Sequence, residues 1–171
     1  MEERSIIAYE HYRDASQRFE YFFSGIIAAL CAYIAQSFKP AKLDWNPNTL
    51  ELLSLVILFI SFFFSLKRME KIVQVFRGVH KKLHNSEIKG KLVAHFDIAP
   101  FINEQTGKVY TIQDVEKEIN LLDFLLPKVE EDIHKTNTSA ERYYSLRNIF
   151  FYLGFILLIF SKILYAYVKV A

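Results

Sequence analysis

Few residues in this chain have the type and spacing that chemistry needs, and the most informative of them is a lysine. Lys162 is the only charge in the apolar run 149–168. A charge within a membrane-crossing helix is costly and marks a function or a partner. Lys162 sits six residues before Val168, roughly 9 Å along a helix, where a long side chain can snorkel to the boundary. It can also pair with Glu51, which opens another apolar run on the same side and would account for both charges; an ion or substrate site is the alternative. That second run carries Ser54, Ser61 and Ser65, seven and then four residues apart and so on one helix face. Such hydroxyls either bond within the helix packing or line a water-filled path.

The other polar candidates are weaker. His80 and His84 lie four apart on a helical stretch, so both rings can reach one metal. No third ligand and no HExxH accompanies them, and a solvated or lipid-facing pair fits their lysine-rich surroundings better. His95 and Asp97, in the sequence HFD, can form a small polar site with His11 or Glu10. No phosphate-binding glycine loop, GxSxG, GxGxxG or pair of carboxylates within a span is present, so no enzyme activity, cofactor or metal is expected. The single cysteine, Cys31, excludes an intramolecular disulfide and a CxxC site.

The elements that must hold these residues are three apolar runs. Residues 52–66 are uncharged, and the segment 50–66 covers roughly 25 Å as a helix, near the short limit for a bilayer. With 21–38 and 149–168, it makes three spans in 171 residues, too many greasy helices for so short a soluble protein. The first twenty residues are too charged for a cleavable signal peptide, so the first run is expected to act as an uncleaved anchor. The formal charge of +2 gives no reason to expect nucleic acid. Lys and Arg number three in 1–20, two in 39–49, fourteen in 67–147 and one in 169–171. The positive-inside rule therefore places the N-terminus and 67–147 in the cytoplasm and the C-terminus outside.

The predicted class is an all-α integral membrane protein, read as one membrane domain over 1–171, with two or more spans extended into a cytosolic helical bundle. Residues 3–20 continue as a helix into the first span. There Ser24, Ala28 and Ala32, with Gly25 and Ala29 beside them, form a small-residue face. Such a face packs within one subunit or joins two. Residues 39–49 form a tight turn with Trp45 at the interface and Asn48 or Thr49 capping the next helix. The second span runs on as a basic helix ending near His84–Ser86 and closed by Gly90, with Lys67, Arg68 and Lys71 placed to contact anionic lipid. Residues 92–110 break the rhythm and suggest a short hairpin. Thr111 and Asp114 resemble a capping box opening a helix to about Lys135, kinked at Pro127. Its NLLDFLL portion is expected to face a helical bundle. Thr136–Ser139 reads as a turn before the last helix. Charge splits between the halves, with eight basic and two acidic residues in 67–91 against six and ten in 92–147.

The helix 3–20, the small-residue span 21–38, the short turn, the second span and the basic extension 67–84 together resemble SLATT proteins. These are two-span effector modules of prokaryotic conflict systems, thought to form membrane pores when a partner sensor fires. The resemblance covers about half the chain; the third span and the 92–138 insert depart from it. It implies an oligomeric, channel-like effector controlled through its cytosolic helices, with the bilayer, further copies of itself and a protein bound through 67–147 as partners. A non-pore anchor, or an immunity protein that blocks a toxin in the bilayer, is the alternative. Lys-, Ile- and Phe-rich usage suggests a bacterial inner membrane.

Overall fold

The computed structural model describes residues 2–38, 46–98, 100–102, 107 and 109–170, without the side chains of 2–10, 12, 98, 101, 102 and 168–170. The expected place of Trp45 lies outside the described residues. Three long helices dominate: α1 (Glu2–Ser37), α2 (Pro47–Ala94) and α3 (Ile112–Val170). Each is long and apolar enough to cross a membrane.

Local chemistry explains where the helices begin. Asn46 Oδ1 accepts hydrogen bonds from the Thr49 amide at 2.8 Å and the Thr49 hydroxyl at 3.0 Å. Asn46 is therefore the cap of α2, one turn before the expected Asn48 or Thr49, and Pro47 takes the first helical position, where no N–H is needed. α3 opens on the expected capping box. The Asp114 amide donates to Thr111 Oγ1 at 3.3 Å, and the Thr111 amide donates to Asp114 Oδ2 at 3.2 Å.

Two expected helix ends are not ends. α2 runs through 85–90 and stops only at Ala94. Leu92 is buried with Val115 and Leu122, and Ile88 packs on the same cluster. That burial outweighs the roughly 1 kcal/mol a helical glycine costs at Gly90. α3 likewise crosses 136–139 unbroken. There Thr138 donates its hydroxyl to the His134 carbonyl at 3.0 Å, a back-bond that a helix accommodates. Pro127 lies inside α3 without ending it. Between α2 and α3, a 3₁₀ turn (Phe96–Ile98) precedes the hairpin of β1 (Phe101–Ile102) and β2 (Val109–Tyr110). Phe101 pairs with Tyr110 and Ile102 with Val109, antiparallel. Gly107, at φ 65°, supplies the left-handed turn residue.

The chain forms two compact units, Met1–Glu70 with Ser139–Ala171, and Lys71–Thr138. In the first, Ile34, Leu58 and Leu158 form the apolar core, with Leu30, Cys31, Leu55 and Phe151 packed against it. In the second the core is Leu92, Val115 and Leu122.

Candidate functional site

The inner face of the first unit is a seam written at coiled-coil spacing. Along α2 it reads Glu51, Ser54, Leu58, Ser61, Ser65 and Arg68, in steps of three and four. All but Arg68 are buried. The seam covers roughly 25 Å at 1.5 Å per residue. α1 contributes buried Glu20, Ser24, Ile27 and Ile34; α3 contributes Arg147, Leu158 and Ser161. Its apolar members are Ile27 and the cluster of Ile34, Leu58 and Leu158.

One end of the seam is a three-helix ionic clasp. Glu20 of α1 accepts from Arg68 of α2 through Oε1 and from Arg147 of α3 through Oε2. The Glu20 and Arg147 side chains are 3% and 1% exposed, so this carboxylate and guanidinium are sealed from solvent, while Arg68 keeps 17%. Arg147 also donates from Nε and Nη2 to Asn148 Oδ1, each at 3.1 Å. The Tyr144 ring packs against both guanidiniums, its centroid 4.1 Å from that of Arg68 and 4.7 Å from that of Arg147. Phe23 lies 4.3 Å from Arg147. One helical turn inward, Ser24 donates to the Glu20 carbonyl at 2.8 Å. Its proton is thereby used, which makes Ser65 the donor across the 2.6 Å between the two hydroxyls.

The opposite end holds the second pair. Lys162 Nζ lies 2.6 Å from Glu51 Oε1, which also accepts from the Ser37 hydroxyl at 3.1 Å. Ser161 donates to the Pro47 carbonyl at 2.8 Å. Between the two ends, Ser54 donates to the Gly154 carbonyl and Ser61 to the Arg147 carbonyl, both at 2.9 Å. Gly154 has no room for a side chain, because an added Cβ would stand 2.8 Å from Leu58 Cγ. Among the described residues no buried side-chain nitrogen or oxygen lacks a partner. This arrangement holds three helices in register through polar bonds that an apolar solvent cannot replace.

No protein-family model, curated protein or solved structure matches this chain.

The candidates from sequence divide cleanly. Lys162 and Glu51 meet, and Ser54, Ser61 and Ser65 bond within the helix packing. Of the small-residue face only Ser24 is buried; Gly25, Ala28, Ala29 and Ala32 are exposed. Ala32 and Ala35 also edge an apolar groove of about 460 Å³ with Cys31, Leu55, Val56, Phe59 and Ile60. Of the three residues expected on lipid, Arg68 turns into the bundle, because the Glu20 carboxylate offers it a charged partner. Lys67 pairs with Glu70 at 3.0 Å, and Lys71 donates to Gln74 at 3.0 Å. His80 and His84 are exposed on α2, and the His95 ring bonds the Lys91 carbonyl at 2.8 Å. Asp97 is exposed in the 3₁₀ turn, and the Glu10 side chain lies outside the described residues. No three metal-binding side chains gather among the described residues. The NLLDFLL stretch faces its bundle through Leu122 only in part, since Leu121 and Phe124 are exposed. Sequence reasoning missed Glu20 and Arg147; the α2 seam spacing leads to Glu51 and Arg68 but not to these partners on α1 and α3.

Proposed function

We propose that this chain is a subunit of a homo-oligomeric, channel-like membrane effector controlled through its cytosolic helices. In this reading three helices cross a bacterial inner membrane, with the N-terminus and 67–147 in the cytoplasm and the C-terminus outside. The observation that carries it is the exposed face Gly25, Ala28, Ala29 and Ala32 on α1. Inside one subunit the seam is filled and bonded, so conduction belongs to several copies together. In lipid, small residues let helix backbones approach closely, and packing drives association. The effector role rests on the resemblance to SLATT proteins, and residues 67–147 are the proposed contact for a controlling partner.

A second reading, a non-pore anchor or toxin-immunity protein, draws on the apolar outer faces. Phe22, Tyr33, Phe59, Ile156 and Phe160 are all exposed there, and walls made of such residues carry no ions. The test combines Ala28→Cys in a Cys31→Ala background with a membrane-potential dye. Cross-linked copies together with depolarisation on overexpression are expected. Cross-linking without depolarisation transfers the chain to the anchor reading, and an absence of cross-links ends the oligomer.

A further inference from the structure

We propose that the clasp end of the first unit carries a collar for the headgroups of amine-bearing phospholipids, with phosphate on its cations and ammonium on its acids. The proposal rests on the reading above that three helices cross a bilayer with this end in the cytoplasm. It does not depend on assembly.

The clasp supplies the reference level. Glu20, Arg68 and Arg147 bond to one another, so they stand at one height on the three helices. On the bilayer side of that height each helix exposes large apolar side chains: Phe22 on α1, Phe63 and Leu66 on α2, Ile149 on α3. Beyond those side chains, and apart from the clasp itself, the first charge on every helix is a cation. These are Arg18, Lys67 and Arg142, two, one and five residues from the clasp member of their own helix. Those steps are roughly 3, 1.5 and 7.5 Å along the axis. Arg18 and Arg142 are exposed, and the Lys67 side chain is 43% exposed. The next charge away from the bilayer is an acid in all three cases: Asp14, Glu70 and Glu141, each exposed.

Cations alone would serve any anionic surface. A cation backed by an acid on all three helices is a narrower pattern, because the acids repel a second negative charge. A zwitterionic headgroup matches it, with phosphate beside the glycerol and ammonium further from the acyl chains. The spacing agrees. Cation and acid are four residues apart on α1 and three on α2, or about 6 and 4.5 Å, against a headgroup layer roughly 5–7 Å deep on each side. On α3 the two are neighbours, and their side chains reach outward. Asp14 accepts from Arg13 at 3.3 Å, and Glu70 lies 3.0 Å from Lys67. Exposed pairs of this kind are weak, and a carboxylate has acceptor sites for further donors. A primary ammonium can donate to it, whereas the quaternary ammonium of choline has no hydrogen to give.

The test uses the full chain with Cys31→Ala in phosphatidylcholine vesicles, into which phospholipids brominated on the acyl chains are mixed. A fluorophore is attached in turn at Phe22→Cys, Phe63→Cys and Ile149→Cys, and its quenching reads which lipid gathers beside each helix. Phosphatidylethanolamine is expected to be held roughly threefold more strongly than phosphatidylcholine, which shares its phosphate and differs at the amine. Phosphatidylglycerol is expected to stay near phosphatidylcholine. Asp14→Asn, Glu70→Gln and Glu141→Gln, each read from the probe on its own helix, should abolish the preference for the amine. Arg18→Gln, Lys67→Gln and Arg142→Gln should instead drive phosphatidylglycerol below phosphatidylcholine, since the acid then faces an anion unaided. Equal binding of the amine and choline lipids overturns the proposal. So does an amine preference that survives the acid variants, or a parent that favours phosphatidylglycerol. Absence of quenching by any brominated lipid removes the bilayer reading itself, a result distinct from equal quenching by all.

Discussion

The two compact units each have an apolar core, but they differ in where they keep their charges. In Lys71–Thr138, Leu92, Val115 and Leu122 are buried, and the ion pairs lie at the surface: Lys82–Glu130 at 3.0 Å, Lys135–Glu131 at 2.7 Å and Lys91–Glu87 at 2.6 Å. In the unit formed by Met1–Glu70 and Ser139–Ala171, Glu20, Glu51, Arg147 and four serines beside Ser24 are buried, while Phe22, Phe59 and Tyr152 face outward. α2 and α3 contribute to both units, so one helix changes its rule of construction part-way along. Water drives apolar side chains inward, whereas a hydrocarbon surround gives them no such preference and leaves packing and polar bonds to hold helices together. The buried polar groups and the many apolar side chains on its outer faces support a lipid environment around the first unit.

The comparison breaks most readily at the ion pairs. Glu20→Ala removes the carboxylate that pairs with the sealed Arg147 guanidinium and is expected to cost about 3–5 kcal/mol. Lys82→Ala removes an exposed pair and is expected to cost about 0–1 kcal/mol. Thermal unfolding in detergent, followed by circular dichroism, reads both. Equal losses would mean that the polarity difference carries no energy. The mirror experiment is apolar: Leu122→Ala opens a cavity in the core of Lys71–Thr138, for about 2–5 kcal/mol, seen as faster amide exchange across 112–135.

Close helix approach offers a smaller test that both units share. A Cβ added at Gly154 would stand 2.8 Å from Leu58 Cγ, and one at Gly78 would stand 2.7 Å from Ile133 Cγ1. Gly154→Ala and Gly78→Ala are each expected to cost about 1–3 kcal/mol through overpacking. Leu58→Ala should relieve the first and leave the second untouched, a specificity that paired melting curves would detect. Below these comes Ser54→Ala, at about 0.6 kcal/mol, the average for an interhelical bond in lipid.

Much of this was legible beforehand, for definite reasons. Three helices of membrane-crossing length follow from uncharged runs, and the hairpin from a broken rhythm ahead of the Thr111 box. Lys162 with Glu51 could be matched because each was the odd charge at the same end of an apolar run. Glu20 and Arg147 escaped notice because each stands where an apolar run meets a charged flank, where a charge needs no explanation. Extending the Ser54–Ser61–Ser65 spacing by three residues each way reaches Glu51 and Arg68. Nothing in one chain's linear order shows that Arg68, Glu20 and Arg147 share a level, since that depends on the packing of three helices. The continuity of α2 past Gly90 and of α3 past Thr136 was hidden for a related reason: distant burial at Leu92 and Ala140 overrides local turn chemistry.

The smallest effect sharpens the contrast from the side of Lys71–Thr138. Lys135 donates a hydrogen bond to Glu131 and lies beside it with opposite charge, holding the Glu131 carboxyl below the usual carboxylate range; Glu131 in turn holds the Lys135 ammonium above its ordinary value. Glutamate stands four residues before lysine on α3, the favourable order for a helix. A depressed carboxyl stabilises the fold above its unfolded value, and that contribution disappears as pH falls through the lower folded value. A raised ammonium stabilises below its unfolded value and loses the effect as pH rises through the higher folded one. The pair's contribution is therefore level through neutral pH and fades at both the acid and the alkaline extremes. Glu87, lowered chiefly by its hydrogen bond and charge contact with Lys91, adds to the acid limb. Amide exchange over 128–135 in wild type and Glu131→Gln should converge at low pH and in molar salt, where the Debye length falls to about 3 Å. The Glu20 clasp, sealed from solvent, should keep its effect on melting in the same salt. Salt dependence of equal size at both places would remove the distinction between the two units.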